Sequence, residues 1–326
     1  MADAVMGDQQ PLPGRRRPLW HWLVLAFSLP PIVGIALAQF ATWTWYGELA
    51  SHWTLHGVIA LLPVLVVFRR DPRWGRALLV LMALGLAPWL MAAFSSRAVA
   101  QSEIATAARV ACANVYYYNR ERERLVAVFT AVDPDVLGLV EVGDEDRRLL
   151  KQDPRWPHQV WSSRRDLFKV ALLSKRRIVT SQIHDFEGTN AIEALIDLGE
   201  APLRVLLIHP YSPVSPELAQ RRDRALVQIA KLCATSREPL LVMGDWNITA
   251  GAPLWRPLLA LSDLRLAPGR QPATWPWFLG PCGIAIDHIL VRGAGIDDLA
   301  AFNLPGSDHR GLVTTVSVPP WSTPAQ

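Results

Sequence analysis

The chain has 326 residues, 51% of them apolar and 19% charged, enough to bury a sizeable core in one or two domains. Its net charge of +4 is concentrated at one end. Residues 1–96 carry seven arginines against Asp3, Asp8, Glu48 and Asp71, and the remainder is close to neutral, which removes any bulk-charge argument for nucleic-acid binding. Cys112, Cys233 and Cys282 are odd in number and lack Cys-x-x-Cys spacing, which argues against a cysteine zinc site or a redox motif.

After an N-terminal tail over 1–19, residues 20–94 read as a membrane region. Apolar stretches at about 20–43, 49–68 and 77–94 each approach the ~20 residues that span a bilayer as a helix, predicting three transmembrane helices. Pro30, Pro31, Pro63 and Pro88 fall inside them, which membrane helices tolerate. Trp20, Trp22, Trp43, Trp45, Trp53 and Trp74 cluster at the stretch ends, as an interfacial belt requires. Arg15, Arg16 and Arg17 precede the first stretch, and Arg69, Arg70, Arg73 and Arg76 lie between the second and third. The intervening loop has only Glu48, so the positive-inside rule puts the N-terminus in the cytoplasm. Three spans then place everything after about residue 95 outside, in a multi-pass cell-membrane protein. A signal peptide cleaved near Ala36-Leu37-Ala38 is the alternative, and it leads to the same side.

Residues 95–106 read as a polar linker, 107–318 as a folded domain and 319–326 as a C-terminal tail. Strands are predicted at 108–115, 136–140, 158–162, 168–174, 178–184, 190–198, 203–209, 239–243, 284–292, 298–303 and 311–318. Helices are predicted at 121–132, at 215–235 behind a Ser-Pro-Glu start signal, and near 253–260. Many strands with few helices between them predict an α/β architecture of two packed sheets flanked by helices.

Polar residues recur at the ends of these strands: Asn114, Glu141, His209, Asp245, Asn247, Asp287, and the Asp308-His309 pair. Any one alone is an ordinary turn residue; seven elements in this order make a site. The pattern resembles the endonuclease/exonuclease/phosphatase (DNase I-like) superfamily, most of all its membrane-anchored bacterial members, over about residues 107–318. The resemblance implies a four-layer α/β sandwich, two mixed β-sheets flanked by helices, following the three transmembrane helices.

Residue by residue, the resemblance makes Asn114 the active-site Asn at the end of the first strand and Glu141 the metal-binding Glu. His209 becomes the His that contacts phosphate or protonates the leaving oxygen. Gly244-Asp245-Trp246-Asn247 matches the Gly-Asp-Phe-Asn motif, with Trp246 in place of Phe. Thr274-Trp275 precedes the last acidic motifs, Asp287 opens the hydrophobic Asp-x-Ile-x-Val strand, and Ser307-Asp308-His309 is the terminal motif. In these roles His209, Asp245, Asn247, Asp287 and His309 are catalytic, with Asp287 orienting His309 as general base; Glu141 and Asp308 serve the metal, and Asn114, Asn247 and His209 bind phosphate. The implied cofactor is Mg²⁺, with Mn²⁺ as a substitute, because hard cations take carboxylate oxygens. The pattern departs from the family at the acid that supports the second His, where only Asp166 offers itself.

The expected function is metal-dependent hydrolysis of a phosphodiester, nuclease-like first. A phospholipid or sphingomyelin-type phosphodiesterase or a phosphoinositide phosphatase is the alternative, and a non-catalytic binding domain the alternative of another class. The expected partners are the lipid bilayer and a phosphoester substrate, nucleic acid or phospholipid, with no protein partner evident. No aromatic-basic stripe of the kind that stacks single strands is present in the sequence.

Overall fold

The computed structural model describes residues 19–68, 71–95, 106–163 and 167–320. Four helices come first: α1 (Leu19–Ala38), α2 (Trp45–Ser51), α3 (Thr54–Phe68) and α4 (Pro72–Ser95). Ile35, Val58, Leu61, Val64 and Leu78 form their shared core. The expectation of three transmembrane helices is corrected here. Among the described residues, only α4, over Pro72–Ala93, is by itself long and apolar enough to cross a bilayer. The apolar part of α1 is the shorter Trp22–Ala38, and the second stretch is broken into α2 and α3, bent by 67°.

The break has a physical cause. Gly47 packs so closely on the end of α1 that a Cβ there would lie 2.7 Å from the Leu37 carbonyl oxygen. Glu48 and His52 are buried against the following domain, where they find charged and polar partners. A straight membrane helix through this stretch would carry both groups into hydrocarbon without those partners.

The following domain contains β1 (Thr106–Asn114), α5 (Arg122–Val132), β2 (Val136–Val140), α6 (Asp144–Leu150), β3 (His158–Trp161), β4 (Val170–Ser174), β5 (Ile178–Phe186), β6 (Thr189–Asp197) and β7 (Pro202–Ile208). It continues through α7 (Pro216–Thr235), β8 (Leu240–Asp245), α8 (Trp255–Ser262), β9 (Arg265–Leu266), a 3-10 turn (Trp277–Cys282), β10 (Asp287–Arg292), β11 (Gly295–Ile296), β12 (Ala300–Asn303) and β13 (Arg310–Val318).

A seven-stranded sheet runs β11-β13-β1-β2-β4-β3, with β12 also pairing β13; a six-stranded sheet runs β5-β6-β7-β8-β10-β9. Val110, Val136, Leu207, Met243, Ile289 and Val316 fill the space between the sheets. The outer face of the first sheet packs on α5 through Leu125 and Phe129. The outer face of the second packs on α7 and α8 through Leu226, Ile229 and Trp255. The α/β sandwich is therefore as expected. The strand expected at 284–292 starts later, at Asp287, because Ile284 bridges Trp275 instead. Helix α6 was not anticipated: its polar sequence, Asp-Glu-Asp-Arg-Arg-Leu-Leu, buries only Asp146 and Leu150 and offers little apolar periodicity to read.

Cys112 and Cys233 are buried, Cys282 is exposed, and all three are free thiols. Ser215 caps α7 by accepting from the Leu218 N–H at 3.2 Å, as its start signal predicts.

Gly244 admits no side chain: its φ is +144°, and an added Cβ would sit 1.9 Å from the Ile208 carbonyl oxygen. Gly244→Ala is expected to destabilise the domain by about 3 kcal/mol or more, through strain plus displacement of β7 from β8. Thermal unfolding of the purified protein measures it; an unchanged melting temperature would contradict this account.

Candidate active site

Register brings the polar strand ends together. Parallel pairing of β1 with β2 sets Asn114 beside Val140, so Asn114 and Glu141 emerge side by side. Parallel pairing of β7 with β8 sets Ile208 beside Gly244, so His209 and Asp245 emerge together. Antiparallel β10 puts Asp287 directly opposite Asp245. Antiparallel β13 pairs Leu312 with Cys112 and so returns His309 to the end of β1. All five predicted catalytic residues, with Glu141 and Asn114, thus meet at one edge of the sandwich.

The backbone is strained where it delivers them. Tyr116, Glu141 and Asn247 have φ of 58°, 58° and 51°. Such conformations are uncommon for residues with a side chain and cluster at functional sites.

Asn114 Nδ2 donates to Glu141 Oε1 at 2.9 Å and to Asp245 Oδ2 at 3.1 Å, bridging two carboxylates. The Tyr117 N–H donates to Glu141 Oε2 at 3.3 Å. The Asn247 N–H donates to Asp245 Oδ1 at 3.0 Å, and its side-chain amide donates to the Pro210 carbonyl at 3.1 Å. His209 Nε2 lies 3.6 Å from Glu141 and 3.8 Å from Asp245, its ring leaning on Phe168 with 5.3 Å between centroids.

His309 Nδ1–H donates to Asp287 Oδ2 at 2.8 Å, which leaves Nε2 facing Asp245 Oδ2 at 3.7 Å. The Ser307 hydroxyl accepts from the His309 N–H at 3.0 Å and donates to the Asn114 carbonyl at 2.8 Å, locking the terminal motif to β1. The Thr274 hydroxyl accepts from the Asp287 N–H at 3.2 Å. Asp308 stands on the cavity wall, where its Oδ2 accepts from the Trp275 indole N–H at 3.2 Å. Asp166, the candidate support for His209, lies outside the described residues.

Among the described residues, two donor groups are compact enough to hold a cation: Glu141, His209 and Asp245, and Asp245, Asp287 and His309. The residues fit a hard divalent ion. Three carboxylates converge, and Asp287 Oδ1 is buried without a hydrogen-bond partner among the described residues. Burial and the neighbouring Asp287 push the Asp245 carboxyl well above its usual range. Burial opposes charging His309, but the carboxylates of Asp287 and Asp245 outweigh it and raise the imidazole to about 10. His288 is the contrast: it is buried, bonded to the Ile248 carbonyl at 2.8 Å and packed on Trp255, and burial lowers it to about 4, so it is a neutral core residue.

Sequence reasoning missed the residues that the N-terminal helices bring. Arg222, buried on α7, pairs with Glu48 at 2.9 Å and donates to the Asn247 carbonyl at 2.9 Å. Trp45, Leu49 and Trp53 line the same cavity as Glu141 and His309. Glu48 and His52, ionisable groups in an otherwise largely apolar stretch, were the available signal.

The model of the endonuclease/exonuclease/phosphatase family matches residues 111–309, and the chain belongs to this family. No curated protein matches the sequence. Among solved structures, D. rerio TDP2 complexed with single-strand DNA product is similar at 16% identity and a TM-score of 0.55, over 64% of this chain and 98% of that one. Sphingomyelinase C from Streptomyces griseocarneus is similar at 18% identity and a TM-score of 0.51, over 65% and 99%. A beta-toxin mutant from Staphylococcus aureus with bound magnesium ions is similar at 18% identity and 0.51, over 64% and 99%. At these identities the likeness speaks for the fold.

The pKa shifts set a pH dependence. His309 rises from 6.5 to about 10 and Asp245 rises from 3.8, so the folded, metal-free protein holds protons that the unfolded chain releases. Stability is then lost as pH climbs through this window. The metal-free protein is expected to melt lower at about pH 9 than at about pH 6, and Asp287→Asn is expected to shrink that difference. Thermal unfolding at the two pH values in chelator checks it; equal slopes in both proteins would contradict the assignment.

Proposed function

We propose that the chain is a membrane-anchored, divalent-cation-dependent phosphodiesterase. The observation that carries this reading is the Asp287–His309 pair, which aims Nε2 at the carboxylates of the cation-binding groups. Glu141 would hold the cation with Asp245 beside it; Asp308, the other expected metal residue, lines the cavity but belongs to neither donor group. Mg²⁺, present in the similar beta-toxin structure, would neutralise charge growing on the phosphoryl oxygens and leaving group.

The chain's own residues supply the proton chemistry. A cation held beside Asp245 would supply the positive charge that His309 otherwise carries; the role of His309 is to take a proton from water at Nε2. Asp287 holds Nδ1 and stabilises the imidazolium that forms. His209 protonates the leaving oxygen. Asn114 and Asn247 offer amide donors without adding negative charge, which suits an anionic substrate.

Membrane anchoring rests on α4, an apolar helix whose described basic residues, Arg73 and Arg76, stand at its start. With Arg69 and Arg70 just before them, this asymmetry favours a cytoplasmic start and an extracytoplasmic end, and hence an extracytoplasmic site.

His309→Ala and Asp245→Asn are each expected to lower kcat on a chromogenic phosphodiester by roughly 10²–10⁴-fold while keeping the native circular dichroism spectrum; His309→Ala, which strips buried Asp287 of its partner, is also expected to melt lower. Chelation should abolish activity and Mg²⁺ restore it. Full activity in both variants would refute the site assignment. A C-terminal reporter that works only after export should be active; a reporter that works only in the cytoplasm would reverse the orientation.

A further inference from the structure

The cavity above the catalytic residues has two unlike halves. Its volume is about 810 Å³, within the range of sites that enclose a small molecule. Glu141, His209, Asp245 and His309 supply the polar half. Trp45, Leu49, Trp53, Leu167, Phe168 and Val214 supply an apolar half, and the first three of these come from the N-terminal helical region. Among the described residues that line the cavity, none is Lys or Arg. A polynucleotide track depends on such cations.

The apolar wall is built in. Glu48 of α2 pairs with Arg222, which in turn holds the Asn247 carbonyl. His52 Nδ1 meets the Thr249 hydroxyl at 2.9 Å, and the Trp45 indole N–H donates to the Pro213 carbonyl at 2.9 Å. The wall is thereby fixed to the turn that carries Asp245.

Exposed apolar residues adjoin the cavity-lining ones along the chain: Val214 lines the cavity itself, and Trp43 and Tyr46 flank Trp45. Val214, Trp43, Tyr46 and Phe278 are 70%, 77%, 68% and 68% exposed. Phe278 follows Trp277, whose N–H donates to the carbonyl of Asp308 on the cavity wall. His56 of α3 bonds the Cys282 carbonyl at 2.8 Å, tying that 3-10 turn to the helices. Exposed aromatic side chains of this kind suit the boundary between lipid and water.

We infer that the cavity binds a lipid phosphodiester drawn from the bilayer, with its phosphate at Glu141 and His309 and its hydrocarbon against Trp45, Leu49 and Val214. This rests on the phosphodiesterase reading above. Water is the only co-reactant. Its oxygen forms the new P–O bond, its proton passes to His309 Nε2, and the bond from phosphorus to the leaving oxygen breaks. That oxygen takes a proton from His209, giving an alcohol and a phosphomonoester.

The test compares methyl p-nitrophenyl phosphate, dodecyl p-nitrophenyl phosphate and a single-stranded oligonucleotide as substrates of the full-length protein in detergent with Mg²⁺. The readout is the dodecyl-to-methyl ratio of kcat/KM, which cancels any loss of active protein. A ratio of at least about 50 is expected, since each buried methylene is worth roughly 4-fold. Leu49→Asn and Val214→Asn should each reduce it by about 5-fold or more; Val214 is exposed, so that substitution leaves folding intact. A ratio near one with the methyl ester still cleaved overturns the lipid site and leaves the phosphodiesterase standing. A high ratio unchanged in both variants, or an oligonucleotide cleaved faster than the dodecyl ester, also overturns it. No turnover of any of the three removes the phosphodiesterase reading and the lipid site together.

Discussion

Two carboxylates face each other across one rung of a β-ladder. Asp245 and Asp287 are register partners on β8 and β10, and both are almost fully buried. Like charges in a medium of low polarity cannot both stay ionised unless something compensates them. The surroundings are that compensation: His309 takes one oxygen of Asp287, and Asn114 and the Asn247 backbone donate to Asp245. Parallel β1–β2 and β7–β8 pairings, with β13 returning antiparallel, bring these partners to the pair from far along the chain. The sheet order is thus a means of assembling charge around a repulsive contact. A site with that unmet demand for positive charge is one a divalent ion can fill.

Much of this was legible in the sequence. β2 and β8 are short apolar runs buried along their whole length, and each leads straight to a carboxylate, Glu141 or Asp245. Helix α7 announced itself by its Ser215 cap and by apolar spacing at Ala225, Leu226 and Ile229, which are all buried. The chemistry could be read because each polar group sits at a fixed offset from a strand end. What pairs with what could not, because register is set by side chains on other strands. The left-handed backbone at Glu141 left no mark in composition either.

The N-terminal region failed for a different reason. Hydropathy averaged over a window treats the stretch around 49–68 as one uniform span. The bend at 67° depends on single polar residues whose partners, Arg222 and Thr249, lie far downstream. Local averaging has no access to such pairs. Nor does it see that Ala92, near the end of α4, is packed among Trp246 and Trp255 of the catalytic domain.

The Glu48–Arg222 pair also bears on modularity. Both side chains are almost fully buried, and they belong to a small network in which Arg222 also meets Asp223 at 2.7 Å and Glu48 also meets His52 at 2.8 Å, so removal of either member unbalances buried charge. The helices are therefore not a leash that can be cut or exchanged at the linker. A domain severed from them would keep Arg222 with Asp223 but without Glu48, and its cavity without a wall. Helices borrowed from another chain would need an acid at the same place. Positions 48 and 222 form a joint between the two halves, so the halves are free to diverge only in step.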